Sequence, residues 1–348
     1  MGWADFLPLL TAIAIVMMIV PAVGLYMTYV ERKVAALVQD RVGPNRVGPL
    51  GLLQAIADAI KIMLKEQVIP ARAQKFLFMT APGIGLVASL LAIAVVPFGP
   101  VPSPQPAGVF RFMIAPGIDI GLLFLLAVSS LSAYGIILGG WASNNKYSLY
   151  GAIRSCAQFI SYEVPLGLSI VGIIVHAGTM SIEGIVHSQA GGILHWNIWW
   201  QPLAAIIFFT SALAETNRLP FDLPECEQEL VGGFHTEYSG IKFVLFFLAE
   251  YTHVVTVSFL VALLFLGGWH FPGGANPAVG LSPSGLLAMA VLLTKVLLVV
   301  LFILMLRWTL PRFRFDQLMS LAWKGLLPLA LANLVGVAIL VSVDLSLW

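Results

Sequence analysis

The chain is short of charge. Asp, Glu, Lys and Arg make up 10% of its 348 residues, against about 25% in an average soluble domain. A soluble fold needs that polar surface to cover its core, so a soluble globular protein is excluded, and so is a disordered chain. The 18 basic and 17 acidic residues leave a net charge of +1, and with no basic field nucleic-acid binding is excluded as well. Cysteine is scarce: only Cys156 and Cys226 are present. Two thiolates cannot hold an iron–sulfur cluster, which typically takes four, and there is neither a C-x-x-C-H haem motif nor a disulfide framework. Alternating strands of about 10 residues are missing, which excludes a transmembrane barrel. No long internal repeat is visible, which argues against an inverted-repeat transporter.

What the chain does hold is apolar sequence: 59% of the residues are hydrophobic. A bilayer core about 30 Å thick takes about 20 apolar residues per helix. Eight such spans are expected, at about 6–29, 76–97, 117–140, 157–178, 197–215, 242–266, 285–307 and 320–343. The first opens on MGWADF, with Asp5 and no basic n-region, and its apolar run is too long for a secretory signal. The fold class is therefore an all-α integral membrane protein, a single polytopic domain over 1–348. Of the 18 Lys and Arg residues, 16 fall in the loops after spans one, three, five and seven; the other loops hold only Arg111, and Lys295 lies within span seven. The positive-inside rule places those odd loops in the cytoplasm (or matrix) and both termini on the outer, periplasmic side.

The same face carries the long loops. Within the 30–75 loop, GLLQAIADAIKIMLKE (51–66) is amphipathic: Leu52, Leu53, Ile56, Ile60, Met63 and Leu64 make one stripe, and Gln54, Asp58, Lys61 and Lys65 the other. It is too polar to span and should lie in the interface. RVGPNRVGP, just before it, bends the chain at two Val-Gly-Pro turns. Lipid headgroups account for Lys65, Arg72 and Lys75, but less well for Arg32, Lys33, Arg41 and Arg46 bracketing Asp40.

Chemistry gathers in the 215–241 loop, AETNRLPFDLPECEQELVGGFHTEY. It holds Glu215, Asp222, Glu225, Glu227, Glu229 and Glu237 against one Arg218. Carboxylates so crowded cannot all ionise cheaply and should titrate as a group, which makes them proton carriers near neutral pH. A simply solvated loop would not be interleaved with Leu219, Phe221, Leu223, Leu230, Val231 and Phe234. Ionisable groups also fall inside spans: Glu163 in SYEVP, Glu250 and His253 in FFLAEYTH, and Lys295. Each costs roughly 2.5–3.5 kcal/mol at mid-membrane unless paired, neutral or facing internal water. His253 reads as a hydrogen-bonded interior histidine. His176, His187, His195 and His270 lack metal-ligand spacing, so no metal site is expected. GIGLVA at 83–88 sits inside an apolar span with no preceding strand, which rules it out as a dinucleotide site.

YVERKVAALVQDRVGPNRVGPLGLLQAIADAIK, SYEVP, AETNRLPFDLPECEQELVGGFHTEYSG and FFLAEY, in that order, resemble the membrane subunit at the base of the peripheral arm of respiratory complex I. That is the H-type subunit of bacterial NADH:quinone oxidoreductase, equivalent to subunit 1 of the mitochondrial NADH dehydrogenase. The resemblance implies a quinone-tunnel and coupling subunit in the bacterial or mitochondrial inner membrane. Arg32, Arg41, Asp58 and Lys61 would line or support the tunnel. Glu163, Glu215, Asp222, Glu225, Glu227 and Glu250 would form the proton path. It gives Lys295 no role. Ubiquinone or another quinone would be the substrate, with no flavin, haem or iron–sulfur cluster in this chain. The quinone-site peripheral subunits, small membrane subunits and lipids would be the partners. Three other readings compete: the related membrane subunit of an energy-converting hydrogenase, an independent ion/proton antiporter or channel, and a passive assembly scaffold, which leaves the buried carboxylates unexplained.

Overall fold

The computed structural model describes residues 3–100, 113–115, 117–273 and 283–343; Arg111 and the side chains of Asp5 and Glu227 lie outside the described set. The chain is all-helical, with no strand among the described residues. The helices are α1 (Trp3–Val38), α2 (Gln54–Met63), α3 (Lys75–Ile93), α4 (Gly121–Ala142), α5 (Lys146–Ala177), α6 (Ile182–Ser188), α7 (Asn197–Trp200), α8 (Pro202–Glu215), α9 (Glu227–Leu230), α10 (Ile241–Phe265), α11 (Pro283–Thr309), α12 (Phe315–Ser320) and α13 (Leu327–Ser342). A π-helical turn, Leu321–Leu326, joins α12 to α13 in one continuous span. Among the described residues, seven helices are long and apolar enough to cross a membrane: α1, α3, α4, α5, α10, α11 and α12–α13.

The expected fifth span, 197–215, differs. It breaks at Gln201 (φ −131°, ψ 58°), where Pro202 restarts the helix as α8. A helix of 14 residues rises about 21 Å, short of the ~30 Å hydrocarbon core. Its course is fixed by α5. Gln201 Nε2 donates to the Gly172 carbonyl (3.1 Å) at one end, and Gln158 Nε2 donates to the Ala214 carbonyl (2.7 Å) at the other. So α8 runs antiparallel to α5 and delivers its last residue, Glu215, to the face where α5 begins. The interfacial helix is also shorter than expected. It spans 54–63 rather than 51–66, because a 3-10 turn at Pro49–Gly51 precedes it, with Leu50 and Gly51 at positive φ.

At the centre lies α10, packed against α1, α3 and α11. Small residues set the closest approach, as in other helix pairs within lipid. A Cβ on Gly135 of α4 would stand 2.8 Å from the Gly85 nitrogen of α3. Lys295 is accounted for by the end of α10. Its Nζ donates to the carbonyls of Leu266 (2.7 Å), Gly268 (2.8 Å) and His270 (3.0 Å) and lies 4.2 Å from the Trp196 ring centroid. The ammonium thus satisfies carbonyls of the turn that follows α10, next to a helix C-terminus where the dipole favours a cation.

Candidate functional site

The first part of the site is a cavity of about 360 Å³ between α1, α2, α10 and α11. Arg32, Arg41 and Asp58 line it, facing Phe243, Phe247 and Trp308. Arg32 Nη1 pairs with Asp58 Oδ2 at 2.6 Å, and Gln54 Nε2 fixes the other carboxylate oxygen at 3.0 Å. The helical spacing of Gln54 and Asp58 makes that second contact. Three of the four residues assigned to the tunnel by resemblance therefore meet here. Lys61 does not: it is exposed and absent from the lining.

One carboxylate that the sequence alone does not single out organises the cavity floor. Glu31 is buried and accepts from Tyr251 Oη (2.7 Å) and Arg218 Nη1 (3.2 Å), while its other oxygen pairs with Arg307. Arg218 is buried, and its guanidinium stacks on the Tyr251 ring 4.2 Å from the centroid. Its Nε and Nη2 have no hydrogen-bond partner. Beyond Arg218 lie Glu250 and Glu225, both within its electrostatic reach and each other's. Arg218 thus pairs with Glu31 of the cavity and also feels the charges of Glu250 and Glu225, both half-buried.

The carboxylates continue in two directions. Toward the loop, Asp222 Oδ2 pairs with Arg312 Nη2 at 3.0 Å, and His235 Nδ1 stands 3.6 Å from Glu225 Oε1. Burial and the neighbouring Glu225 push the Asp222 carboxyl up to about 7, against the pull of Arg312. Toward the membrane interior, Glu215, Glu250 and His253 line a small cavity of about 30 Å³ with Ser89, Ser132 and Asn217. This is room for water among polar groups that need it. His253 Nε2 lies 3.9 Å from Glu215 Oε1, and neither ring nitrogen makes a hydrogen bond. The hydrogen-bonded histidine expected from sequence is thus buried with both nitrogens unpaired. Glu163 accepts from Ser130 Oγ and is exposed on the outer wall of α5.

The acidic loop is held as a packed element. Phe221, Leu223, Leu230 and Phe234 are buried, as their interleaving with acids implied; Val231 is exposed, at φ 66°. Gln158 reaches across to the Phe221 carbonyl (2.8 Å). Glu229 pairs with Arg154, and Glu237 accepts from Asn145 Nδ2 (2.6 Å). Of the loop acids, Asp222 and Glu225 belong to the row, whereas Glu229 and Glu237 tie the loop to α5 and its N-cap. The Glu227 side chain lies outside the described set. Sequence reasoning misses Glu31, Arg307, Arg312 and Tyr251. The one signal for Glu31 is its place beside Arg32 in VERK, a charged pair at the end of an apolar run.

The chain has clear relatives among known proteins. The family model described as NADH dehydrogenase matches residues 10–338. An NADH-quinone oxidoreductase subunit of the H type from Koribacter versatilis is 45% identical over 347 residues, covering 96% of this chain and 96% of the relative. The H-type subunit of the same oxidoreductase from Protochlamydia amoebophila is 47% identical over 310 residues, 89% of this chain and 90% of the relative. NADH-quinone oxidoreductase subunit 8 of Rhodothermus marinus is 46% identical over 321 residues, 90% of this chain and 91% of the relative.

Proposed function

The chain belongs to the NADH dehydrogenase family, as a membrane subunit of an NADH-quinone oxidoreductase, and we propose that within that enzyme it couples quinone reduction to proton movement. The cavity at Arg32, Arg41 and Asp58 receives the quinone head, and the row from Glu31 to Glu215 carries the response into the membrane. The observation that carries this reading is Arg218, ion-paired to Glu31 at the cavity and within electrostatic range of Glu250 and Glu225.

The cavity suits such a substrate. Phe243, Phe247 and Trp308 offer flat apolar walls to a ring and tail, and Arg32 and Arg41 offer N–H donors for ring oxygens. Electrons come from partner subunits, since two cysteines cannot hold a cluster. What the chain contributes is position and charge. Arg32, held by Asp58, orients the head. A change of charge in the cavity alters the field at Glu31 and so the balance of Arg218 between Glu31 and the Glu225–Glu250 pair. The field at Glu250 and Glu225 changes with it, and the water-sized cavity at His253 passes the change to Glu215. Glu163, on the outer wall, hands it to a neighbouring membrane subunit. On this reading the 30–75 and 215–241 loops face the cytoplasm and both termini lie outside, in the inner membrane.

Photoaffinity labelling of native membranes with a quinone-like probe tests this directly. The expected result is label within 31–66 or on Phe243, Phe247 or Trp308, displaced by a quinone-site inhibitor. Label confined to other subunits would remove the quinone role and leave the chain as a docking and proton-coupling piece.

A further inference from the structure

The acidic loop leaves the end of α8 and comes back to α5 within a few residues, and one side chain ties both ends. Gln158, fully buried on α5, points its amide nitrogen at the Ala214 carbonyl (2.7 Å), the Phe221 carbonyl (2.8 Å) and Asn217 Oδ1 (3.3 Å). Ala214 immediately precedes Glu215, and Phe221 immediately precedes Asp222. The amide therefore pinches the neck of the 214–221 segment. The two carboxylates that open the two branches of the row follow directly from the pinched residues. Arg218 sits in the middle of the same segment, with its guanidinium on Glu31 (3.2 Å) and on the Tyr251 ring. Outside the neck, the Phe313 N–H donates to the Pro220 carbonyl (3.2 Å).

Gln158 is more than filling. Two backbone carbonyls fix which amide atom faces the segment, since an oxygen there would meet only oxygens. Gln158 Oε1 is left buried with no donor as a result. Filling alone would be better served by an apolar side chain of the same length, which strands no polar atom. The third acceptor, Asn217, has φ 50° and lines the small cavity with Glu215, Glu250 and His253, so the amide also reaches the wall of that cavity. Five residues further along α5 stands Glu163. The helix that clamps the segment thus carries the last carboxylate of the row as well.

We propose that Gln158 is a positioning residue for the charge row: by closing the neck of the 214–221 segment it sets where Arg218 meets Glu31 and how Glu215 and Asp222 are spaced. The consequence for proton movement rests on the coupling role proposed above; the placement does not.

The test uses the intact complex in proteoliposomes and Gln158→Met, which keeps the length of the side chain and removes both donors. NADH oxidation by a hydrophilic acceptor should hold, as the sign of an intact assembly. The Asp222 carboxyl band, assigned by its absence in Asp222→Asn, titrates near 7 in a setting fixed by burial, Glu225, Arg312 and Arg218. In Gln158→Met its midpoint should move down toward the ordinary carboxylate range, as the loosened segment admits water. Protons moved per quinone reduced should fall by at least about half, because small misplacements of positioned groups are costly. A band that stays near 7 would overturn the proposal and leave the coupling reading standing. A band that moves while the stoichiometry holds would uphold the placement and overturn the coupling reading instead. Gln158→Glu is the second variant. Protonated, it offers one O–H donor to the neck; ionised, it turns a negative charge on carbonyl oxygens. Its stoichiometry should be near that of the parent at about pH 6 and fall by about pH 8.5, relative to Gln158→Met at the same pH values, a dependence that lost packing does not produce. Should Gln158→Met fail to assemble, that dependence decides alone, and its absence overturns the proposal.

Discussion

Glu31 holds three partners on one buried carboxylate, two of them guanidinium groups. Removing one member of a buried ion pair costs about 3–5 kcal/mol, because the other is left uncompensated. Glu31→Gln keeps the size and loses the charge, stranding Arg218 beside Glu250 and Arg307 beside the cavity. Quinone reductase activity of the complex should fall at least about tenfold, since only about 1.4 kcal/mol of transition-state stabilisation need be lost for that. Oxidation of NADH by a hydrophilic electron acceptor should be unaffected; equal loss of both would make Glu31 merely structural. Lys295 is the contrasting residue. Lys295→Met leaves three carbonyls without their donor, at about 1–3 kcal/mol for each that stays buried and unpaired. The amount of assembled complex and its melting temperature should fall, while protons moved per quinol in the surviving enzyme stay constant. Asp222 brings in pH. Its carboxyl titrates near 7 in the folded loop, against 3.8 for the free residue. A folded-state value raised in this way stabilises the loop fully below about 3.8, and that stabilisation is lost as pH rises through about 7. Infrared titration should show a protonated carboxyl band lost near pH 7 and missing in Asp222→Asn.

Among the packed elements, the acidic loop sits against α5 with no slack. A Cβ on Gly151 would stand 2.6 Å from the Phe234 nitrogen and 2.9 Å from the Pro224 carbonyl oxygen, both backbone atoms that cannot swing away. Gly151→Ala must therefore displace the loop that carries Asp222 and Glu225. The expected outcome is normal assembly with fewer protons pumped per electron pair; unchanged stoichiometry would show that the loop's position is immaterial. The helices themselves are legible in the sequence, since apolar runs of bilayer length have few alternatives. The amphipathic stripe marks α2, and the apolar residues between the loop acids mark a buried loop. The split at Gln201–Pro202 is marked only by that pair itself, since a hydropathy window over 197–215 averages across it and does not register a backbone break. The π-helical turn at 321–326 is not legible, because its sequence LAWKGL has ordinary helical composition. Glu31 is hidden for another reason. Beside Arg32 and Lys33 at a helix end it reads as interfacial charge, and only the return of α8, α10 and α11 to the same level supplies its partners.

Across the full length of the chain, the row of charge begins at a partly open cavity, where Arg32 and Arg41 are exposed, and ends on an open wall. Glu31, Glu215 and His253 are buried, whereas Glu163 is exposed on a span, where it accepts a hydrogen bond from Ser130. A carboxylate in that position costs roughly 2.5–3.5 kcal/mol at mid-membrane on insertion scales. The chain by itself gains nothing from it, so its use lies in the assembled complex, against a neighbouring subunit. Glu163→Gln therefore has opposite consequences at two levels. In the isolated chain the amide relieves the unpaired charge, and thermal stability in detergent or lipid should rise or hold. Within the complex, Glu163→Gln combined with Glu225→Gln interrupts the row at its exit and near its entrance, and proton pumping should fall while assembly persists. Pumping that is unchanged in the double variant would mean that protonation of this row does not drive the neighbouring subunits. A fall in stability of the isolated Glu163→Gln chain would mean instead that the Ser130–Glu163 bond is part of the fold.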